Sequence, residues 1–248
     1  MDKKDRVIAW WSGGITSAVA CLYALNDYDN VELIYIETGQ HHPDHLRFKN
    51  DCEKWYGVKI ETVQSEKYND VFDVMYKKRY INGVAGAPCT KALKKDVRYK
   101  VEEDGFKSQV FGFEFSKHEI NRAKRFKEQY PHTNPLYPLI DHELTKANCM
   151  YIVKNQRIRI PAMYELGYNN SNCIGCVKGG MGYWNKIRVD FPDYFNKMIE
   201  VEDDIGASAL KIPLRELDPK AGNMNDEIMP ECGLFCDLEF VDLISKKK

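Results

Sequence analysis

The residues able to do chemistry fall into one loop, a pair of lysines and two close pairs of cysteines. Ser12-Gly13-Gly14-Ile15-Thr16-Ser17 sets two glycines among three hydroxyls, directly after the apolar run Val7-Ile-Ala-Trp-Trp11. Glycine takes backbone angles closed to other residues and lets a ligand come close, and the amides that open a helix attract anions. Such a turn suits phosphate; a strand-to-helix turn with incidental glycines is the alternative. Lys91 and Lys94, in Cys89-Thr-Lys-Ala-Leu-Lys94, share one side of a helix expected to begin near Thr90. They either meet phosphate or sulfate at that helix start or form a solvated basic face. Cys173-Ile-Gly-Cys176 and Cys232-Gly-Leu-Phe-Cys236 offer four thiols. Two close pairs suit tetrahedral Zn²⁺, each short loop presenting two sulfurs to one ion, and they equally suit an iron–sulfur cluster. A lone Cys-x-x-Cys beside two unrelated thiols is the alternative.

The hydropathy pattern supplies the elements that must position these groups. The loop precedes a mostly apolar helix over 18–25, stopped by the polar turn 26–30, and branched and aromatic residues predict a second strand over 31–38, closing on Gly39. Strand, helix and strand in this order form a βαβ unit, which favours a parallel sheet with ligands at the carboxyl ends of its strands. Helices over 44–56 and 69–79 and strands over 58–63 and 108–115 continue the alternation. Lys178-Gly-Gly-Met-Gly-Tyr-Trp184 reads as a flexible basic loop, and 190–205 as a helix after Pro192. The expected fold is α/β, doubly wound around a mainly parallel sheet. A nucleotide-binding domain over 1–168 would carry a cysteine-containing, metal-binding extension over 169–248, packed on it.

With 248 residues and 44% hydrophobic content, the chain can bury a sizeable core. A net charge of −1 gives no global attraction to nucleic acid or to an anionic membrane. The local cluster Lys117, Arg122, Lys124, Arg125 and Lys127 is a candidate for nucleic acid, but helix-borne charge of this kind is mostly solvated, so nucleic acid is not favoured. No apolar run approaches the roughly 20 residues needed to span a bilayer. The opening Met1-Asp-Lys-Lys-Asp holds no signal-peptide core, so a soluble cytoplasmic protein with no membrane partner is expected, with a homo-oligomer left open. Eight cysteines in that setting favour reduced thiols, a metal or redox chemistry over structural disulfides. His41 and His42 have no partner in sequence and read as polar residues rather than zinc ligands.

The loop resembles the PP-loop, Ser-Gly-Gly-x-Asp-Ser, of the adenine nucleotide α-hydrolase superfamily, which includes N-type ATP pyrophosphatases and phosphoadenylyl-sulfate (PAPS) reductases. It lacks the Gly-Lys-Ser/Thr ending of a Walker A loop, and Thr16 stands where the pyrophosphatases carry Asp, leaving the loop without its usual carboxylate for Mg²⁺. Thr38-Gly39 with His41-His42-Pro43 resembles the second loop of the PAPS reductase-like enzymes, beside the adenosine. Cys89 followed by Lys91 and Lys94 is similar to the substrate-side segment of PAPS reductases and DNA-phosphorothioation sulfurtransferases. Gly112, Glu114 and Arg122 match the family's Gly-containing strand followed by Glu and Arg, and Arg122 has the fork for a bidentate clamp on phosphate or carboxylate. Residues 134–168 run through Pro-Leu, an Asp-x-x-Thr-like helix start, a Pro and Tyr pair and a Gly-Tyr ahead of the cysteines, so the resemblance covers roughly residues 6 to 180.

The resemblance implies an adenine nucleotide held by Ser12, Gly13, Gly14, Thr16, Ser17, Thr38, Gly39 and Gly112, with Lys91, Lys94 and Arg122 at its phosphate or sulfate end. The expected activity is attack by an unidentified acceptor on the α-phosphorus of ATP or a related nucleotide, with Mg²⁺ as companion ion and pyrophosphate released, and with sulfur transfer as a further use. The alternative is a PAPS or adenylyl-sulfate reductase. Glu231-Cys232-Gly233-Leu234 looks like the family's Glu-Cys-Gly-Ile/Leu-His, whose Cys is the nucleophile, with Phe235 in place of the His. In cluster-bearing adenylyl-sulfate reductases the Cys-x-x-Cys after Gly-Tyr shares [4Fe–4S] with an upstream Cys-Cys. Here Cys89 alone stands upstream, as an alternative ligand to the set Cys173, Cys176, Cys232 and Cys236. A third reading, a non-catalytic nucleotide- or nucleic-acid-binding accessory, implies binding without pyrophosphate release.

Overall fold

Val7, Ile8, Ala9 and Trp10 form strand β1 (Val7–Trp10), and all four are buried, as expected of a strand covered on both faces. The structure, a computed structural model, describes residues 5–83 and 86–223. Four more strands follow: β2 (Val31–Glu37), β3 (Ile60–Gln64), β4 (Ser108–Val110) and β5 (Pro135–Leu136). They make a five-stranded parallel sheet in the order β3-β2-β1-β4-β5. β1 pairs with β2 from Val7↔Val31 to Trp10↔Ile34, and with β4 from Val7↔Ser108 to Ala9↔Val110. Strand order therefore reverses between β1 and β4, and a crevice opens outside the carboxyl ends of strands at such a switch point. The Ser12 to Ser17 loop leaves β1 at that end.

The chain divides into two compact units. The first takes residues 5–37, 43–63 and 98–171, and the second 38–42, 64–83, 86–97 and 172–223. In the first, helix α1 (Ile15–Asp27) starts at Ile15 instead of the expected Ala18, because Ile15, Thr16 and Ser17 are already buried. Trp11, Ile15 and Val19 share a core with Phe48 and Cys52 of α2 (Asp44–Tyr56). The expected strand over 108–115 ends at Val110, although Phe111 N–H still reaches Leu136 O at 3.1 Å. β5 was not among the expected strands, since two residues show no periodicity.

The second unit holds α3 (Val71–Lys78), followed in the chain by a π-helical turn over Thr90–Lys95 that runs into α4 (Asp96–Glu103). The remaining helices of the first unit are α5 (Lys117–Gln129), α6 (Pro138–Asp141), α7 (Lys146–Asn155) and α8 (Ala162–Glu165). In the second unit the expected flexible loop over 178–184 is corrected: α9 (Met181–Asp190) begins within it, because Tyr183 and Trp184 are buried and their packing orders the glycines. Then comes α10 (Pro192–Ile205), ended by Gly206 in the left-handed conformation. Among the described residues no helix is long and apolar enough to cross a membrane.

One carboxylate fixes the approach of the 159–165 segment to α2. Asp44 accepts from Arg47 Nε and Nη2 at 2.8 and 2.7 Å, from Arg159 Nη2 at 2.8 Å and from Ala162 N–H at 2.9 Å. Burial by itself would raise its pKa, but these donors outweigh it and hold the carboxyl well below the usual carboxylate range. A depressed folded pKa gives stability that is present above the ordinary value of 3.8 and is lost as pH falls below it. Asp44→Asn is expected to cost about 2 kcal/mol at neutral pH and distinctly less near about pH 3, as measured by chemical denaturation at both values.

Candidate functional site

The loop after β1 is shaped from inside by one hydroxyl. Ser17 Oγ accepts from Ser12 N–H and from the Ser12 hydroxyl, each at 3.0 Å, and donates to Gly14 O at 2.9 Å. Ser17 therefore holds the turn, and Ser12 is the exposed hydroxyl. Gly13 has φ +80°, and a Cβ there would lie 1.8 Å from His45 Cε1. His45 is buried, with its ring 5.0 Å from Trp11 and 4.7 Å from Tyr35. Gly14 caps α1 without a side-chain hydrogen bond, and the first turn holds no acidic residue. The Ile15 N–H instead meets the Tyr164 hydroxyl at 3.3 Å. A positive helix end facing a glycine turn is the arrangement that binds oxyanions, and it offers Mg²⁺ no carboxylate.

Gly112 stands beside this turn because nothing larger fits: a Cβ would lie 2.8 Å from both Ser17 Cα and N. Beyond it, Arg122 is only 1% exposed. Its Nη1 lies 3.3 and 3.4 Å from the Glu119 carboxylate oxygens, and its guanidinium sits 4.7 Å over the Phe113 ring. The structure thus shows the expected clamp already engaged with Glu119. Glu114 is half-buried, and burial raises its pKa against the opposing pull of Lys146.

In the second unit, the Cys-x-x-Cys turn is gripped from two sides. Gln40 O accepts the Ile174 N–H at 2.8 Å and its side-chain amide donates to Ile174 O at 3.2 Å. The Tyr183 hydroxyl accepts the Cys176 N–H at 3.0 Å and donates to Cys173 O at 3.2 Å. Gly175 supplies the left-handed residue at φ +69°. Thr38 Oγ1 lies 3.3 Å from Cys173 Sγ and 3.4 Å from His41 Nδ1, and His41 Nε2 lies 4.0 Å from the same sulfur. Cys89, Cys173 and Cys176 line one small pocket with Thr38, Thr90 and Lys94, leaving about 20 Å³, room for a single water. Thr90 and Lys94 belong to the π-helical turn, a distortion frequent at functional sites. Burial pushes the thiols of Cys52 and Cys149 up to about 12 and raises Cys21, which marks these three as inert core residues.

Residues 6–179 match the family described as the phosphoadenosine phosphosulfate reductase domain. The chain belongs to this family. An uncharacterized protein of Methanocaldococcus jannaschii is 23% identical over 208 residues, which are 78% of this chain and 41% of that protein, so the chain spans about two fifths of that relative's length. A solved structure of phosphoadenylyl-sulfate reductase from Candida auris, in a phosphate complex, aligns at a TM-score of 0.47 and 16% identity, covering 67% of this chain and 80% of its own.

Of the residues expected in the site, the first unit gathers Ser12, Gly13, Gly14, Thr16, Ser17 and Gly112 around the start of α1. The second gathers Thr38, Lys94, Cys89, Cys173 and Cys176 around the thiol pocket. Gly39 turns at φ +71°, with no space for a Cβ against Asn69 O. Lys91 is exposed and pairs with Asp96 Oδ1 at 3.3 Å. Cys232 and Cys236 lie outside the described residues. Among the described residues no three His, Cys, Asp or Glu side chains are grouped to hold a metal ion. Sequence reasoning missed His45, Tyr164, Gln40 and Tyr183. It read His41 as a polar residue without a partner in sequence, and its Nε2 lies 4.0 Å from Cys173 Sγ. The signal for His45 was its place two residues after Pro43, but nothing local says that its ring faces Gly13. Gly13→Ala is expected to remove nucleotide binding, by at least about tenfold in a calorimetric titration, since φ and His45 both exclude a side chain. Tyr183→Phe loosens the cysteine turn, and alkylation of Cys173 and Cys176, followed by mass spectrometry, is expected to quicken about fivefold for each hydrogen bond lost.

Proposed function

We propose that this chain is a PAPS reductase-like enzyme that binds ATP or a related adenine nucleotide and activates an acceptor at the α-phosphate, with sulfur transfer as its use. The carrying observation is the turn from Ser12 to Ser17: its glycines and the start of α1 suit a phosphate oxygen, and no Walker lysine competes with that use. An acceptor oxygen attacks the α-phosphorus, the bond from that phosphorus to the bridging oxygen breaks, and pyrophosphate leaves. The amides at the start of α1 stabilise the charge that develops. Mg²⁺, when bound, would neutralise phosphate charge, and the first turn of α1 has no acidic residue to hold it. The thiol pocket supports the sulfur reading, with Cys89, Cys173 and Cys176 around one space and Lys94 as the cation beside it. A zinc ion held by Cys173 and Cys176 would draw its other thiolates from Cys232 and Cys236; a [4Fe–4S] cluster is the alternative occupant.

The second reading, sulfonucleotide reduction, is favoured by Glu231-Cys232-Gly233-Leu234 and makes Cys232 the nucleophile. A non-catalytic accessory is the third. One anaerobic preparation separates them. Iron, sulfide and zinc are measured, then pyrophosphate from ATP and sulfite from PAPS. Pyrophosphate without sulfite is the expected outcome; sulfite that vanishes in Cys232→Ser overturns it in favour of the reductase, and nucleotide binding with neither product leaves the accessory.

A further inference from the structure

The Ile15 N–H, in the first turn of α1, has no partner within its own helix, and the oxygen that receives it comes from 149 residues away. Tyr164 Oη accepts it at 3.3 Å, and the same oxygen lies 3.4 Å from where a Cβ on Gly14 would stand. The phenol thus meets the turn at both Gly14 and Ile15. α8, which carries Tyr164, is set by Pro161 and by the Ala162 N–H bonded to Asp44. Lys146 lies close by, its Nζ 5.6 Å from the Tyr164 ring centroid, bonded to Asn169 O and, at 2.8 Å, to Asn170 Oδ1. Lys146 is the first residue of α7, where a positive charge opposes the helix dipole, so its place does not serve the helix that bears it. Glu114, half-buried, feels that charge together with those of Glu119 and His118.

We infer that Tyr164 and Lys146 are part of the oxyanion site: Tyr164 donates a hydrogen bond to a phosphate or sulfate oxygen seated at the start of α1, and Lys146 supplies countercharge. This rests on the proposed reading of the loop as a nucleotide site. A phenol both accepts and donates, so an oxygen arriving at the Ile15 N–H comes within reach of a donor already fixed there. An oxyanion is the stronger acceptor, and charge-assisted bonds are about twice as strong as neutral ones, so the ligand takes the amide while Tyr164 turns its proton to the ligand. Lys146, its Nζ 5.6 Å from the ring centroid, favours that role by adding attraction for the anion.

The test titrates the full chain with ATP, with PAPS and with adenosine, which has no phosphate, in calorimetry at two salt concentrations. Tyr164→Phe is expected to weaken ATP or PAPS about tenfold and to leave adenosine unchanged. Lys146→Met should weaken the same ligand and flatten its salt dependence, with Lys146→Arg restoring both. Unchanged or tighter nucleotide binding in both Tyr164→Phe and Lys146→Met overturns the inference while leaving the loop's role intact. A wild-type chain that binds neither ATP nor PAPS overturns the loop reading itself, and this inference with it. Melting temperatures monitor the fold, and Lys146→Met decides the matter should Tyr164→Phe not fold.

Discussion

A side chain at Gly13 is forbidden twice over, by its backbone angle and by the imidazole of His45 beneath it. That exclusion lets the backbone turn sharply at the end of β1, so that α1 starts at Ile15 with its amide end toward the switch point of the sheet. Ser17 then closes the turn on itself through Ser12 and Gly14, and Gly112 must stay bare to pass the backbone of Ser17. The loop is therefore a packed object, held by glycines where two main chains meet and by one inward hydroxyl. What remains at its surface is polar: amides, the exposed Ser12 hydroxyl and the Tyr164 phenol.

Charge in the first unit is arranged in buried pairs rather than left for a ligand. Arg122 is engaged with Glu119 above Phe113, and breaking a buried pair costs several kcal/mol because it strands a charge. Asp44 gathers two arginines and a backbone amide and so fixes the segment that carries Tyr164. Lys146 of the same unit stands outside such buried pairs, half-buried and bonded to Asn169 and Asn170, as does Lys91 of the second unit, exposed beside Asp96.

The second unit is organised by hydrogen bonds to the cysteine turn. Gln40 and Tyr183 together satisfy both polar groups of Ile174, the Cys176 amide and the Cys173 carbonyl, leaving the two sulfurs as the groups the turn presents. The π-helical turn brings Thr90 and Lys94 to the same small space as Cys89. In the first unit, burial pushes up the thiols of Cys52 and Cys149.

Sequence by itself determined the βαβ start, the helix over 44–56, the glycine turn after β1 and the family that residues 6–179 match, because these are written in local period and contiguous motif. It named Cys173, Cys176 and Cys89 separately. Only the tertiary structure decided that these three share a pocket, that Arg122 is engaged with Glu119 and that 178–184 enters a helix, since each depends on burial against residues far off in the chain. The contacts of Tyr164 with Ile15 and of His45 with Gly13 are of the same kind. A phenol and a main-chain amide 149 residues apart carry no common period, and what joins them is the folding of α8 back onto α2 through Asp44.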